Sequence, residues 1–448
     1  MKLCLLSLLS LLVLVAPIQS QHYFPSTDAA WQTTTAAAAG ADAALLADAV
    51  AYAQLAHSDT LVILHGGRIL SEHYWNGASR TTKYRLNSAT KVMVSALMGR
   101  LMELGEFTSL DQKSSVFIPE WRNVAGKQDI TLRHHLSMTT GLEGGEQNLI
   151  LGAIVPSERF FAVNLPQEHT LGTYWTYNNP AYRLLFSIIQ TATGQSLSDV
   201  FAQHISTPLG MSAASWVIRN GQVGQTTIQN YQYVEANALS AARFGLLALR
   251  GGTWNGTQVV PAAFLVQATT TSQAINPSYG FLWWLNNGAS SGGHQQLFDG
   301  VPRSGPYFPD APPDTFAALG LNDQIIAVMP SLDLVIIRQS TQPLGAGSEA
   351  VSAEQNILFG KIARAFGYAG QVQPLTLAIA PQGTDVRLSW SSWFGRSYDL
   401  QQSTDLAPAS WQNVNASPIA GDGLPLSLDR PISLPRLFFR ATSVAPSP

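Results

Sequence analysis

The chain has 448 residues, 46% of them hydrophobic and 12% charged, with a formal net charge of −3. That length and composition suit a large globular domain with a smaller companion, and the weak negative charge leaves no basic footprint for nucleic acid. A single cysteine, Cys4, excludes an intramolecular disulfide framework and a cysteine-held metal.

The opening stretch, MKLCLLSLLSLLVLVAPIQSQ, places Lys2 before an uncharged apolar run and ends near a small residue, Ser20. A bilayer span needs about 20 apolar residues, so the shorter run argues against an uncleaved anchor. Residues 1–20 are expected to be a secretory signal peptide, and the protein secreted or periplasmic. Next, AALLADAVAYAQLA (43–56) has a helical pattern, and TLVILHGGRILSEHYWNG gives two β-rich runs around Gly66 and Gly67, a hairpin signal. RLNSATKVMVSALMGRLMELG (85–105) predicts an apolar helix with Ser88 and Lys91 at its head. Residues 110–265 are rich in helix and turn signals. TFAALGL, QIIAVMP and LDLVIIRQ then read as three consecutive strands, and SEAVSAEQNILFGKIARAFG as a closing helix. The sum is an α+β fold: an antiparallel sheet drawn from both ends of the chain, flanked by helices, with a helical insert between. This domain is expected to occupy 21–368, followed by a linker at 369–374. Beyond it, 375–448 carries short runs such as LTLAIA, DVRLSWS, RSYDLQQS and RLFFRATS, parted by Gly, Pro, Asn and Asp, which predict a small all-β sandwich.

Ser88 and Lys91 stand three apart, so on a helix they share a face and the amine can approach the hydroxyl. A serine becomes nucleophilic beside a base, and a lysine serves where its surroundings keep it neutral. Alone, S-x-x-K is as well explained by a capping serine and a solvated lysine. Tyr177 and Asn179, in LGTYWTYNNPAYRLL, form a Y-x-N leading into an apolar helical run. A phenol can relay a proton and an amide can orient a lysine; an aromatic-rich turn is the plainer alternative. GASSG (288–292) fits the nucleophile-elbow pattern at Ser290, but no helical period follows it, and His294 is too near to serve as its base. It reads as a polar loop. The nine histidines show no metal-ligand spacing, and the neighbours His134 and His135 would face different ways. No metal and no organic cofactor is expected.

Taken in order, NSATK, ITLRHHLSMTTGLE, TYNNPAYRLL, PLGM, LSAARFGLLALRGGTWNGTQVVP, YGFLWWL and GLNDQIIAVMPSLDLVIIRQ resemble the serine β-lactamase-like superfamily of penicillin-binding proteins, class C β-lactamases and esterases. Within it the chain most resembles the 6-aminohexanoate-dimer hydrolase type of carboxylesterase and amidase. The resemblance implies Ser88 as acyl-forming nucleophile, Lys91 as its general base, Tyr177 as proton shuttle, and Asn179 as support for Lys91 and substrate. It sets the third motif on Ala318, Leu319 and Gly320, with the backbone N–H groups of Ser88 and Leu321 as oxyanion donors, and Trp175, Ala318 and Gly320 at the substrate pocket. The β-lactamases and penicillin-binding proteins of the superfamily usually carry Lys, Arg or His where this chain has Ala318, which favours an ester or uncharged amide over a β-lactam. Gly144 stands where related esterases often have Trp. The C-terminal stretch resembles fibronectin-like modules of exported proteins by pattern. Its Trp390, Trp393 and Trp411 suit core packing better than a glycan-binding face.

The leading expectation is therefore an exported serine hydrolase forming an acyl-enzyme on Ser88 and acting on a small ester or amide. A β-lactamase or D,D-carboxypeptidase is the rival within the fold. A non-catalytic cell-wall or glycan-binding protein, with the β module as its adhesive part, is the rival outside it. Nothing in the sequence sets the oligomeric state.

Overall fold

The computed structural model describes residues 22–444 apart from 145–153, 156, 224–225, 298–299, 345–350 and 432–435; the expected signal segment 1–20 lies outside these. Helix α1 (Ala43–Leu55) starts where Asp42 accepts hydrogen bonds from the N–H groups of Ala44 and Leu45. Strands β1 (Thr60–His65) and β2 (Arg68–Tyr74) make the expected hairpin, turning through Gly66 and Gly67 at φ of +59° and +81°. Helix α2 (Thr90–Glu103) grows out of a one-turn 3₁₀ segment, Asn87–Ala89, and buries eleven of its fourteen residues. A helix enclosed on all sides has no cheap place for a lysine, so Lys91 needs a partner there.

The region 110–265 departs from expectation. It holds α3 (Asn179–Thr193) and several shorter helices, but also a long antiparallel hairpin, β3 (Ser215–Val223) and β4 (Thr226–Ala236). Its β-branched and aromatic residues were there to be read. A register shift between Arg219 and Gly221 breaks the alternation that would have identified them. Helix α4 (Ala238–Leu249) follows, capped by Asn237.

The two-residue strand β5 (Trp284–Leu285) precedes β6 (Phe316–Gly320), β7 (Gln324–Met329) and β8 (Leu334–Gln339), the three strands expected near the end of the domain. The central sheet runs β2-β1-β8-β7-β6-β5 and every pairing is antiparallel. Thr60 lies opposite Gln339 and His65 opposite Leu334, so the two ends of the domain meet at the middle of the sheet. Every residue of β7 and β8 is buried, which requires cover on both faces. Helix α4 packs on one, with Gly245 admitting Val335 and Ile326. Helix α1 packs against the closing helix α5 (Ala353–Ala365), and both bury residues in the same core. Helix α5 begins with a capping box between Ser352 and Gln355.

The C-terminal strands form separate small sheets. Strands β9 (Ala378–Gln382), β10 (Asp385–Ser391) and β12 (Pro425–Pro431) make one, in the order β9-β10-β12. Strand β11 (Ser397–Ser403) pairs with β13 (Phe438–Val444) and two short strands in the other. Trp390 of β10 meets Tyr398 of β11 at 6.4 Å between rings, and Leu388 and Leu400 are fully buried. Trp390 and Trp393 are 3% and 6% exposed, and Arg440 stacks on Trp411 at 4.3 Å, so these three rings form no open platform. GASSG, read as a loop, is one helical turn, Gly288–Ser291, with Ser290 exposed.

Candidate active site

Lys91 is the second residue of α2, one turn beyond Ser88, and is 2% exposed. Its ammonium donates to Asn179 Oδ1 at 2.6 Å and to Ser88 Oγ at 3.3 Å. It also sits over the rings of Tyr177 and Tyr182, at 4.5 and 4.4 Å from their centres. Carbonyl oxygen and ring faces are all electron-rich, which offsets the cost of burying the amine. Tyr182 itself is fully buried, which pushes its phenol well above the usual tyrosine range.

Asn179 reaches Lys91 because it is the first residue of α3. Asn178 caps that helix, accepting from the Ala181 N–H at 2.9 Å, and its amide donates to the carbonyls of Leu142 and Glu143 at 3.3 and 2.8 Å. His135 holds the same helix start from beneath. It is completely buried, bonded through Nδ1 to the Ala181 carbonyl at 2.8 Å and through Nε2 to Ser114 Oγ at 3.1 Å. The carbonyl can only accept, so Nδ1 carries the proton and Nε2 accepts from the serine. Burial pulls its pKa down to about 4. The histidine pair is thus structural: His134 closes a capping box with Thr131, and His135 anchors α3 as a neutral ring.

Tyr177 is 4% exposed. Its N–H donates to the Leu297 carbonyl at 3.0 Å, and its ring stacks on Trp284 at 5.6 Å and 20°. Trp175, expected at the pocket, is 1% exposed instead. It meets Tyr279 and Trp284 edge-on at 5.3 and 6.4 Å, so it packs behind Tyr177 rather than facing a substrate.

Strand β6 closes the other side. Asn87, at φ +49°, donates from Nδ2 to the Leu321 carbonyl at 2.9 Å. Gly320 lies so near the serine turn that a Cβ there would fall 2.3 Å from the Leu86 carbonyl oxygen and 3.0 Å from the Ala89 nitrogen. Only glycine allows that approach. Leu321 begins the turn after β6 and is 62% exposed, while Ala318 is 1% exposed in the strand. The turn is pinned from below: Arg338, fully buried, donates to the carbonyls of Asn322 and Asp323, and Asp323 accepts from the Leu344 N–H and from Gln355.

The fold thus brings together Ser88, Lys91, Tyr177, Asn179, Gly320 and Leu321, and withdraws Trp175 into the core. Sequence reading gave no role to Tyr182, Trp284 or Arg338, and weighed His135 only as a metal ligand. Of these Tyr182 had a signal, since it lies three residues after Asn179 on one helix face.

The sequence profile of the beta-lactamase family matches residues 43–361, and the chain belongs to that family, whose members are serine hydrolases. Among individual proteins, an uncharacterized protein of Alkalihalophilus pseudofirmus is 24% identical over 62% of this chain and 82% of its own length. A D-aminopeptidase of Cereibacter sphaeroides is 24% identical over 34% of this chain, which spans only 31% of that enzyme. A solved structure from Bacillus anthracis, provisionally named a 6-aminohexanoate-dimer hydrolase, shares the fold with a TM-score of 0.54 at 21% identity, covering 70% of this chain and 80% of that one.

Proposed function

We propose that the protein is an exported serine hydrolase that cleaves a small ester or uncharged amide through an acyl-enzyme on Ser88. One observation carries this: a buried lysine amine lies within 3.3 Å of the Ser88 hydroxyl and is held by a neutral amide, Asn179. Neutral Lys91 takes the Ser88 proton as Oγ attacks the carbonyl carbon. The resulting oxyanion lies between the N–H groups of Ser88 and Leu321. Its collapse expels the alcohol or amine, which receives the proton from Lys91 by way of Tyr177. Water then attacks the acyl carbon and gives one proton to Lys91; as the bond to Ser88 Oγ breaks and the acid leaves, Lys91 passes that proton to Oγ, which restores the neutral amine and the hydroxyl. Each oxyanion donor contributes about 3 kcal/mol to such a step. Ala318 supports an uncharged substrate, because it puts no cation on β6 to meet a carboxylate.

The test is Ser88→Ala with a chromogenic short-chain ester. Wild-type turnover with a loss of roughly 1,000-fold or more in the variant is expected, as for removal of any covalent nucleophile. Equal rates would remove Ser88 from the mechanism. A fluorescent penicillin, offered in parallel, is expected to be neither hydrolysed rapidly nor retained; either result would favour the β-lactam reading.

A further inference from the structure

The segment 369–374 looks like a linker in sequence, yet it is fastened along its length. Gln371 donates from its backbone to the Pro309 carbonyl at 2.8 Å and from its side chain to the Ala311 carbonyl at 3.1 Å. Gln373 donates to the Ser391 carbonyl at 2.9 Å. The module beyond it grips the same stretch. Arg396, 7% exposed, pairs with Asp310, 3% exposed, at 2.9 Å, and also donates to the carbonyls of Pro309 and Gln371. The second Asp310 oxygen accepts from Asn356 of α5 at 2.7 Å. Ser304 bonds through its N–H to Gly423 and through Oγ to Ser392, at 2.8 and 2.6 Å. Trp393 covers Gly305 so closely that a Cβ there would lie 2.4 Å from the indole. Residues 304–311 are therefore clamped between α5 and the module.

That stretch leads back to the catalytic wall. Phe394 of the module lies 6.4 Å from the His294 ring, His294 lies 4.3 Å from Tyr307, and Tyr307 lies 5.4 Å from Trp284. Trp284 is the ring on which Tyr177 stacks. Leu297, whose carbonyl holds the Tyr177 N–H, lies three residues beyond His294. A buried Arg–Asp pair is costly to assemble and costlier to break, so Arg396 and Asp310 stay together. Packed rings pass a displacement on because interiors hold few voids to absorb it.

We infer that the C-terminal module is a brace for the active site, with Arg396, Trp393 and Phe394 acting as positioning residues that fix Tyr177 through His294, Leu297 and residues 304–311. The inference rests on the Ser88 mechanism for its kinetic consequence but not for its geometry, and the experiment separates the two. Phe394→Ala and Arg396→Ala are made in the full chain, with Arg387→Ala as control; Arg387 pairs with Asp429 on the module's exposed face. Phe394→Ala leaves no stranded charge, so it remains readable if Arg396→Ala fails to fold. For ester hydrolysis, kcat is expected to fall roughly 10- to 100-fold with KM nearly constant, the cost of a slightly misplaced proton carrier. The pH–rate profile should shift as well. In a Tyr177→Phe background, Phe394→Ala should add little, because both changes act on one element. Amide exchange at Tyr177 should speed roughly tenfold or more in Phe394→Ala and stay unchanged in the control. Unchanged exchange at Tyr177 overturns the brace whether or not Ser88 is the nucleophile. Unchanged kcat and pH profile, or full additivity with Tyr177→Phe, overturn it too, and are what a purely adhesive module would give.

Discussion

Gly320→Ala adds one methyl group at the closest approach between β6 and the serine turn. The new carbon would start 2.3 Å from the Leu86 oxygen and 3.0 Å from the Ala89 nitrogen. Carbon and oxygen rest at about 3.3 Å or more, so strand and turn must part by about 1 Å. The turn cannot swing away freely, because Arg338 and Asp323 tie it to the layer below. The separation therefore falls between Ser88 and Leu321, where the two oxyanion donors are proposed to converge. A misplacement of about 1 Å costs roughly 100-fold in rate, or about 2.7 kcal/mol of transition-state stabilisation. Replacing a strand glycine elsewhere gains about 0.5–1 kcal/mol of stability. That gain is smaller than the loss and does not restore the donors. Steady-state hydrolysis of a p-nitrophenyl ester reads the effect: kcat should drop about 100-fold while KM moves little, since the donors act on the transition state. A variant with kcat within threefold of wild type and an unaltered melting temperature would refute the reasoning.

His135 titrates with a pKa of about 4 when folded, below its ordinary value of 6.5, so its contribution is complete above pH 6.5 and lost as pH falls toward 4. The span corresponds to about 3 kcal/mol. Urea unfolding at pH 7 and pH 4.5 should show a smaller drop in His135→Gln than in wild type; equal drops would remove His135 as the cause. Export predicts that protein recovered outside the cytoplasm begins near Gln21, which N-terminal sequencing checks; a retained Met1 would speak for an anchor.

The sheet was legible because its strands are short, apolar and bounded by turn residues, and the TLVILHGGRIL hairpin announces itself through paired glycines. Ser88, Lys91, Tyr177 and Asn179 stood out as a set through the resemblance that their motifs carry in order, and the structure brings them together. Partners that meet only in space were not. Nothing local to Arg338 says that it will hold the turn after β6, and nothing in GYAGQVQP says that its glutamines will be tied to Pro309 and Ala311. The β3–β4 hairpin was missed for a different reason, since an irregular register erases the period-two signal while leaving the strand intact. Trp175, expected at the pocket, lies buried, because an aromatic beside Tyr177 serves equally well as wall or as buttress and only burial separates the two.

The sheet order sets the sequence of events in folding. Strand β1 pairs with β2 within a few residues, but its other edge belongs to β8, whose partner for Thr60 is Gln339. Until that distant strand has been synthesised, the hairpin presents an open apolar edge with nothing to close it. Contacts of such long range form slowly. A chain built like this does not lock itself shut early, as the proposed export would require.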